Sequence, residues 1–205
     1  MTELPFATVA VLGAGTMGAG IAQVCAQAGA RVVLQDLTEA LVEKGLLRIR
    51  ESLDVGVQKQ KVTPDLRSAT LQRLATTTDR AAAVADAALV IEAVPEDLAL
   101  KNELFRELAD KCRPTAVLAS NTSSLSLEQV FAGVTAPGRC IGMHFFNPPP
   151  IMKLLEVVRT LATAQPVIDA VLAFARRCGK EPILVKDSPG FASSRLGVCL
   201  GLEAI

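Results

Sequence analysis

An apolar run of the chain leads directly into Gly13-Ala14-Gly15-Thr16-Met17-Gly18. A glycine pattern of this kind is weak alone and strong when its flanks agree, and here they agree. Val9-Ala10-Val11-Leu12 enters as a strand. Ile21, Val24, Cys25 and Ala28 leave it at i, i+3, i+4 and i+7, the stripe of an amphipathic helix. A second strand over residues 31–35 then ends at Asp36. In a strand–turn–helix–strand unit Gly13 permits the tight turn, Gly15 lets the backbone approach a pyrophosphate, and Gly18 lets the helix lie close on the strand. The helix N-terminus, with Thr16 and Met17 in its first turn, offers unpaired N–H donors and a favourable dipole to an anion. Asp36 can accept both hydroxyls of an adenosine ribose and would repel a 2′-phosphate. No Arg follows it within three residues, so the predicted cofactor is NAD rather than NADP.

The alternation continues. Residues 7–12, 31–35, 89–92, 116–120, 139–143, 154–158 and 182–185 are predicted strands, with a weaker one over 74–77. The early runs are apolar throughout, as parallel strands buried on both faces are. Between them, Leu46, Ile49, Leu53 and Val57 mark a long helix after Thr38. Thr63-Pro64-Asp65 supplies an N-cap, an N1 proline and an acidic first turn for the next one. These two are expected as an antiparallel pair inserted before the sheet resumes. Further helices are expected over 102–112 and 167–178. The predicted fold class is α/β, a doubly wound Rossmann-like sheet.

Composition narrows the partners. Apolar residues make up 50% of 205, ample for a core. Lys plus Arg and Asp plus Glu both number 21, so no net field draws in nucleic acid or an anionic membrane. Aromatics are 3%, without Trp or Tyr, which argues against base-stacking platforms. No apolar run is long enough to span a membrane, and the N-terminus lacks a basic-then-apolar signal. Cys25, Cys112, Cys140, Cys178 and Cys199 show no CxxC pairing and sit among apolar neighbours. They are expected as reduced residues of a cytoplasmic protein, not as disulfides or metal ligands.

One histidine occurs in the chain, in His144-Phe145-Phe146-Asn147-Pro148-Pro149-Pro150. Twelve residues later Glu156 is the lone charge in Leu154-Leu155-Glu156-Val157-Val158. An unpaired buried charge is costly, so Glu156 requires a polar partner. His144, at a predicted strand end, is the nearby candidate, and the rigid proline turn would let the chain double back. The pair has the form of a general base and its orienter.

Several stretches together resemble a known family. Gly13 to Gly18, Glu92-Ala93-Val94-Pro95-Glu96, Ser120-Asn121-Thr122-Ser123-Ser124-Leu125, His144 to Pro148 and Pro189-Gly190-Phe191 occur in the order of the 3-hydroxyacyl-CoA dehydrogenases. The resemblance implies an N-terminal NAD-binding domain with a mixed sheet. It also implies a helical C-terminal domain that dimerises and closes over the site. The implied reaction is reversible hydride transfer between NAD and C3 of an L-3-hydroxyacyl-CoA. By resemblance, His144 is the base and Glu156 its orienter. Ser123 hydrogen-bonds the substrate oxygen, Asn147 lies near nicotinamide or substrate, and Glu96 and Lys101 lie near the nicotinamide ribose. Ser126 with Gln129 forms a capping box, which leaves Ser123 free for that role. Ser52 and Lys59 match positions that touch coenzyme A. Gly56 between them is expected to let the ligand approach closely.

One position departs from the family pattern Pro-Gly-Phe-x-x-Asn-Arg. Here it is Pro189-Gly190-Phe191-Ala192-Ser193-Ser194-Arg195, with Ser194 in place of an active-site asparagine. Residues 1–187 are expected to form the NAD-binding domain. Residues 188–205 are expected as a linker and the first helix of a truncated all-α domain, because Leu196, Val198, Cys199, Leu200, Leu202 and Ile205 crowd that helix with apolar groups. Two other readings remain open. One is an NAD-dependent dehydrogenase of a non-CoA hydroxy acid such as a sugar acid, against which Ser52, Gly56 and Lys59 weigh. The other is a non-catalytic NAD-binding fragment.

Overall fold

A computed structural model describes residues 4–203. The apolar runs become β1 (Thr8–Leu12), β2 (Arg31–Gln35), β3 (Leu74–Thr77), β4 (Leu89–Glu92), β5 (Val117–Ser120), β6 (Cys140–Phe145), β7 (Leu154–Arg159) and β8 (Glu181–Lys186). They form one sheet in the order β3-β2-β1-β4-β5-β6-β7-β8. Pairing is parallel from β3 to β6, antiparallel between β6 and β7, and parallel again between β7 and β8. The sheet is therefore mixed and doubly wound, with its order reversing between β1 and β4. A crevice opens at the carboxyl ends of the strands at such a reversal.

Side chains alternate between the two faces of a strand, and both faces here are covered. Val9, Val11, Leu89 and Ile91 pack with Ile21 and Cys25 of α1 (Thr16–Gln27), Ile49 and Leu53 of α2 (Glu39–Gln58), and Phe174 of α7 (Gln165–Arg177). Ala10, Leu12 and Val90 pack on the other face with Val84 of α4 (Arg80–Val84), Leu104, Phe105 and Leu108 of α5 (Leu98–Lys111), and Leu127 of α6 (Leu127–Val130). Each fully buried Leu, Ile, Val or Phe contributes roughly 1.5–3 kcal/mol. α3 (Pro64–Gln72) packs on α1 and α2, which makes α2 and α3 the inserted pair.

Three details differ from expectation. α5 starts at Leu98 rather than 102, because the Asp97 carboxylate caps it by accepting from Leu100 N at 2.8 Å. α4 was not foreseen; it is short and opened by Asp79, which accepts from Ala82 N. Ser126 forms no capping box: its hydroxyl donates to Asp187 Oδ2 at 3.1 Å. Asp187 accepts from Glu128 N as well, so α6 is capped from sixty residues away along the chain. Gly56 also serves the helix pair. A Cβ there would lie 2.7 Å from Val62 Cγ2, so its bareness admits the turn into α3.

The last helix, α8 (Ser193–Glu203), buries none of its residues, and Leu196, Val198, Leu200 and Leu202 are exposed. Ala204 and Ile205 lie outside the described residues. No helix among the described residues is long and apolar enough to cross a membrane.

Candidate active site

The glycine turn is built as its spacing demands. Gly13 has φ +97°, and a Cβ on it would come 2.5 Å from Ala93 O. A Cβ on Gly18 would collide with Gly13 O at 1.7 Å, so α1 lies directly on the turn. At Gly15 the opposite holds: it is exposed, and a Cβ would meet nothing within 4 Å. The open side at Gly15 faces a cavity of about 660 Å³ lined also by Thr16, Met17, Asp36, Leu37, Arg80, Val94 and Glu107. The N–H groups of the first turn of α1 have no intrahelical acceptor and point toward this end. Asp36 accepts from Ala14 N through Oδ2 and from Leu37 N through Oδ1, each at 2.7 Å. These bonds aim a carboxylate into the cavity with lone pairs to spare. An open Gly15, free N–H donors and a fixed Asp36 fit the pyrophosphate and adenosine ribose of NAD.

Arg80 is a cation that sequence spacing from Asp36 could not reveal, since it arrives from α4. It pairs with Glu107 at the cavity wall. The Lys111 hydrogen bond, together with Arg80, holds the Glu107 carboxyl below its ordinary value against the opposing effect of burial.

Beside this cavity lies a smaller one of about 330 Å³, sharing Met17, Ala93 and Val94 and lined by Glu96, Lys101, Asn121, Ser123, His144, Phe146 and Asn147. His144 sits directly opposite Glu156 in the antiparallel β6–β7 register. Opposite residues share a face, so strand pairing alone brings the two side chains together. His144 Nδ1 lies 2.7 Å from Glu156 Oε2, and Glu156 is fully buried. Glu156 Oε1 accepts from Ala192 N and Ser193 N at 3.1 and 2.8 Å, and Oε2 accepts from Ser193 Oγ at 3.1 Å. Burial pushes this carboxyl upward, but the hydrogen bonds from His144 and Ser193 outweigh it and hold the group below its ordinary value. The imidazole is flanked by Phe146 and Phe191, with ring centroids 4.5 and 5.8 Å away.

Lys101 lies deeper than its place beside a ribose would require. It is 1% exposed, and its ammonium contacts Glu92 at 2.5 Å, Glu96 at 3.3 Å and Val94 O at 3.3 Å. Three donors and three acceptors leave no proton to offer a ligand. Glu96 reaches further out: its Oε1 accepts from Thr122 Oγ1 at 2.5 Å and Ser123 N at 3.0 Å. Burial would raise the Glu96 carboxyl, but the Thr122 bond, the Lys101 charge and the Ser123 N–H together hold it low. Ser123 itself is exposed at the cavity edge, its hydroxyl 3.4 Å from Glu96 Oε1.

Two residues of this network carried no assigned role in the sequence. Glu92 is fully buried and accepts from Val94 N at 2.8 Å and Ser120 Oγ at 2.6 Å. The signal was present: Glu92 ends the apolar run Leu89-Val90-Ile91, just as Glu156 interrupts its own. Asn121 accepts from Phe145 N at 2.9 Å and so ties the β5 end to the strand that carries His144.

Asn147 is exposed and lines the smaller cavity. Ser194 does not line it. That residue is half-buried near Gly190, while its neighbour Ser193 holds Glu156. Ser52 and Lys59 line a separate groove of about 520 Å³ between α1, α2 and the loop Pro148-Pro149-Pro150-Ile151. Thr16 borders both this groove and the larger cavity, so the spaces adjoin.

A doubly wound sheet whose glycine turn, aspartate and crevice are built this way is a dinucleotide-binding domain. Residues 8–188 match the family model described as "3-hydroxyacyl-CoA dehydrogenase, NAD binding domain". The chain belongs to that family, and NAD is the cofactor of such a domain. It is 43% identical over 203 residues to the human mitochondrial hydroxyacyl-coenzyme A dehydrogenase, covering 96% of this chain and 64% of that protein. A probable 3-hydroxybutyryl-CoA dehydrogenase of Bacillus subtilis is 42% identical over 198 residues, covering 96% and 68%. The solved (S)-3-hydroxybutyryl-CoA dehydrogenase of Ralstonia eutropha superposes with a TM-score of 0.93 at 39% identity, covering 97% of this chain and 70% of that one. The chain thus spans less than two thirds of the length of the human relative.

Proposed function

We propose that the protein is an NAD-dependent oxidoreductase that interconverts L-3-hydroxyacyl-CoA and 3-ketoacyl-CoA. The observation that carries this reading is the buried His144–Glu156 pair, 2.7 Å apart at the edge of the dinucleotide crevice. Glu156 is held in its ionised form, so it can only accept. Nδ1 must then bear the proton of that hydrogen bond, which leaves Nε2 as a lone pair directed at a substrate hydroxyl. Bound NAD supplies the hydride acceptor. As the hydroxyl proton passes to Nε2, the buried Glu156 stabilises the imidazolium that forms.

Ser123 donates to the substrate oxygen, with its backbone N–H already fixed by Glu96. Asn147 contacts nicotinamide or substrate at the same cavity. Glu96 lies near the nicotinamide ribose, with Lys101 behind it as its positioning partner. Ser194, outside the smaller cavity but next to the Ser193 that holds Glu156, replaces the asparagine with a shorter reach, which alters rate or substrate preference. Ser52 and Lys59 hold coenzyme A in their groove, Lys59 meeting a phosphate. The groove favours a CoA thioester over a free hydroxy acid, which would have no use for it.

Residues 1–187 serve as the NAD-binding domain, and residues 188–205 as the linker and first helix of a helical C-terminal domain through which the full-length protein forms a homodimer. Its place is fatty-acid-type metabolism in the cytoplasm, a compartment consistent with five free cysteines, three of them buried. Neither nucleic acid nor a membrane is a partner in this reading.

The test is a ladder of substrates. Full-length protein is assayed with NADH against acetoacetyl-CoA, longer 3-ketoacyl-CoA thioesters, and the corresponding free keto acids. Turnover of thioesters at least a hundredfold above the free acids is expected. Comparable turnover of the free acids would refute the CoA assignment.

A further inference from the structure

Gln23 stands on the third turn of α1, buried to 3% exposure, and its Oε1 has no hydrogen-bond partner. No other described residue bonds its amide nitrogen. Buried polar groups are nearly always satisfied, so an unpartnered primary amide calls for a specific explanation. Its surroundings provide one. Gln23 is part of the wall of the groove that also holds Ser52, Val55 and Lys59 across from it, with Pro149 and Ile151 at the end.

The groove narrows where α1 meets the proline loop. A Cβ on Gly20, one turn before Gln23, would lie 2.8 Å from Pro149 Cδ, so loop and helix touch there. Gln23 lies seven residues beyond Thr16, roughly 10 Å along the helix axis. That separation removes it from the N-terminal turn and from any pyrophosphate held there. The cationic side chains of the groove, Arg48, Lys59 and Lys61, stand on α2 and the turn after it. The share of the groove wall that α1 supplies, Thr16, Ala19, Gly20, Gln23 and Gln27, carries no charge.

A ligand that fits such a wall is slender and uncharged, with amides of its own. A phosphate is served by the cations on α2 and the turn after it rather than by a neutral amide on α1. A bare acyl chain does not fit, because it leaves the glutamine unpaired. We propose that Gln23 is a binding residue for the pantetheine arm of a CoA thioester, its side-chain amide pairing with a secondary amide of that arm. The Gln23 oxygen is enclosed, so its amide nitrogen is the group that donates to a carbonyl of the arm, without a charge. The assignment rests on the acyl-CoA reading given above and adds to it the register of the arm: phosphates toward Lys59, thioester toward His144, an amide at Gln23.

Gln23→Met tests this, because methionine matches the volume and removes only the amide. Binding of acetoacetyl-CoA and of NADH is measured by calorimetry for wild type and variant, with thermal denaturation of each in the absence of ligand. The expected result is about tenfold weaker acetoacetyl-CoA binding, equivalent to ~1.4 kcal/mol. NADH affinity should be unchanged within twofold, and the ligand-free melting temperature equal to or above that of wild type, since an unpaired buried group has been removed. A merely structural glutamine would instead lower the melting temperature and weaken both ligands together, which overturns the proposal. Acetoacetyl-CoA binding within twofold of wild type also overturns it. Acetoacetyl-pantetheine, which lacks the nucleotide, should show the same tenfold loss; a loss confined to the nucleotide-bearing thioester would move Gln23 away from the arm. If wild type itself binds no acetoacetyl-CoA while binding NADH, the acyl-CoA reading fails first. If wild type binds it and Gln23→Met binds it equally, only the assignment of Gln23 fails.

Discussion

Glu156→Gln is the smallest change that separates a working His144 from a misplaced one. Four donors converge on the Glu156 carboxylate: His144 Nδ1 at 2.7 Å, Ala192 N at 3.1 Å, Ser193 N at 2.8 Å and Ser193 Oγ at 3.1 Å. Glutamine has the same shape but offers an acceptor at only one terminus. With its oxygen toward the two backbone N–H groups, its NH₂ faces His144 Nδ1. That nitrogen must then be bare, and the proton moves to Nε2, the atom required as base. With the amide turned over, two buried backbone N–H groups face another donor. Either arrangement forfeits a charge-assisted bond and strains a second, for a loss of ~3 kcal/mol. In a chain of this size 1 kcal/mol shifts the melting temperature by roughly 2–4 °C, so a fall of about 6–12 °C is expected. The wrong tautomer should lower kcat about 10³–10⁴-fold, the scale known for the equivalent change in a Ser-His-Asp triad. Acid dependence gives a third readout. The Glu156 carboxyl is held below its ordinary value, so its stabilisation is complete above about pH 4.3, the unfolded value, and fades as pH falls through the folded one. Wild type should therefore lose melting temperature more steeply than Glu156→Gln below about pH 4.3. Thermal melts across pH and stopped-flow NADH absorbance measure all three. A variant with kcat within tenfold of wild type and an unchanged melting temperature would refute the reasoning.

Two further substitutions probe the cofactor side. Gly15→Ala places a Cβ in open space at an allowed φ of −64°, so the melting temperature should stay within about 2 °C while NAD binding weakens at least tenfold; Gly18→Ala, with its 1.7 Å collision, should fail to fold stably. Wild-type NAD affinity in Gly15→Ala, measured by calorimetry, would remove the pyrophosphate from that face. Lys101→Met leaves Glu92 buried without its cation and should cost about 3–5 kcal/mol in chemical denaturation. Adding Glu92→Gln should return part of that loss, and a Lys101→Met protein as stable as wild type would show the pair to be idle.

The strands were legible because a parallel sheet covered on both faces needs continuous apolar runs, and those runs survive in the one-dimensional sequence. Leu74–Thr77 and Arg31–Gln35 begin and end where the pattern places them. The glycine turn was equally plain, since each glycine answers a local demand. What escaped was set by contacts between distant segments. Asp187 took over the capping of α6 from Ser126, and no spacing rule connects them. Gly56, expected as room for a ligand, lines the groove and is also room for Val62. Lys101 was expected beside the nicotinamide ribose, yet Glu92 draws it into the sheet edge. The pairing of His144 with Glu156 lay between these cases. The need for a partner followed from one charge in an apolar run, while the antiparallel register that supplies it belongs to the fold.

In the proposed mechanism His144 moves the substrate proton and does not serve to hold NAD. Its most direct test is His144→Gln in the full-length protein, with acetoacetyl-CoA reduction followed by stopped flow and NADH binding by fluorescence on the same sample. A rate at least 10²–10⁴-fold below wild type, the usual worth of a positioned acid–base group, is expected, with the NADH dissociation constant within threefold. A rate within tenfold of wild type, or a loss of rate matched by an equal loss of NADH binding, would contradict it.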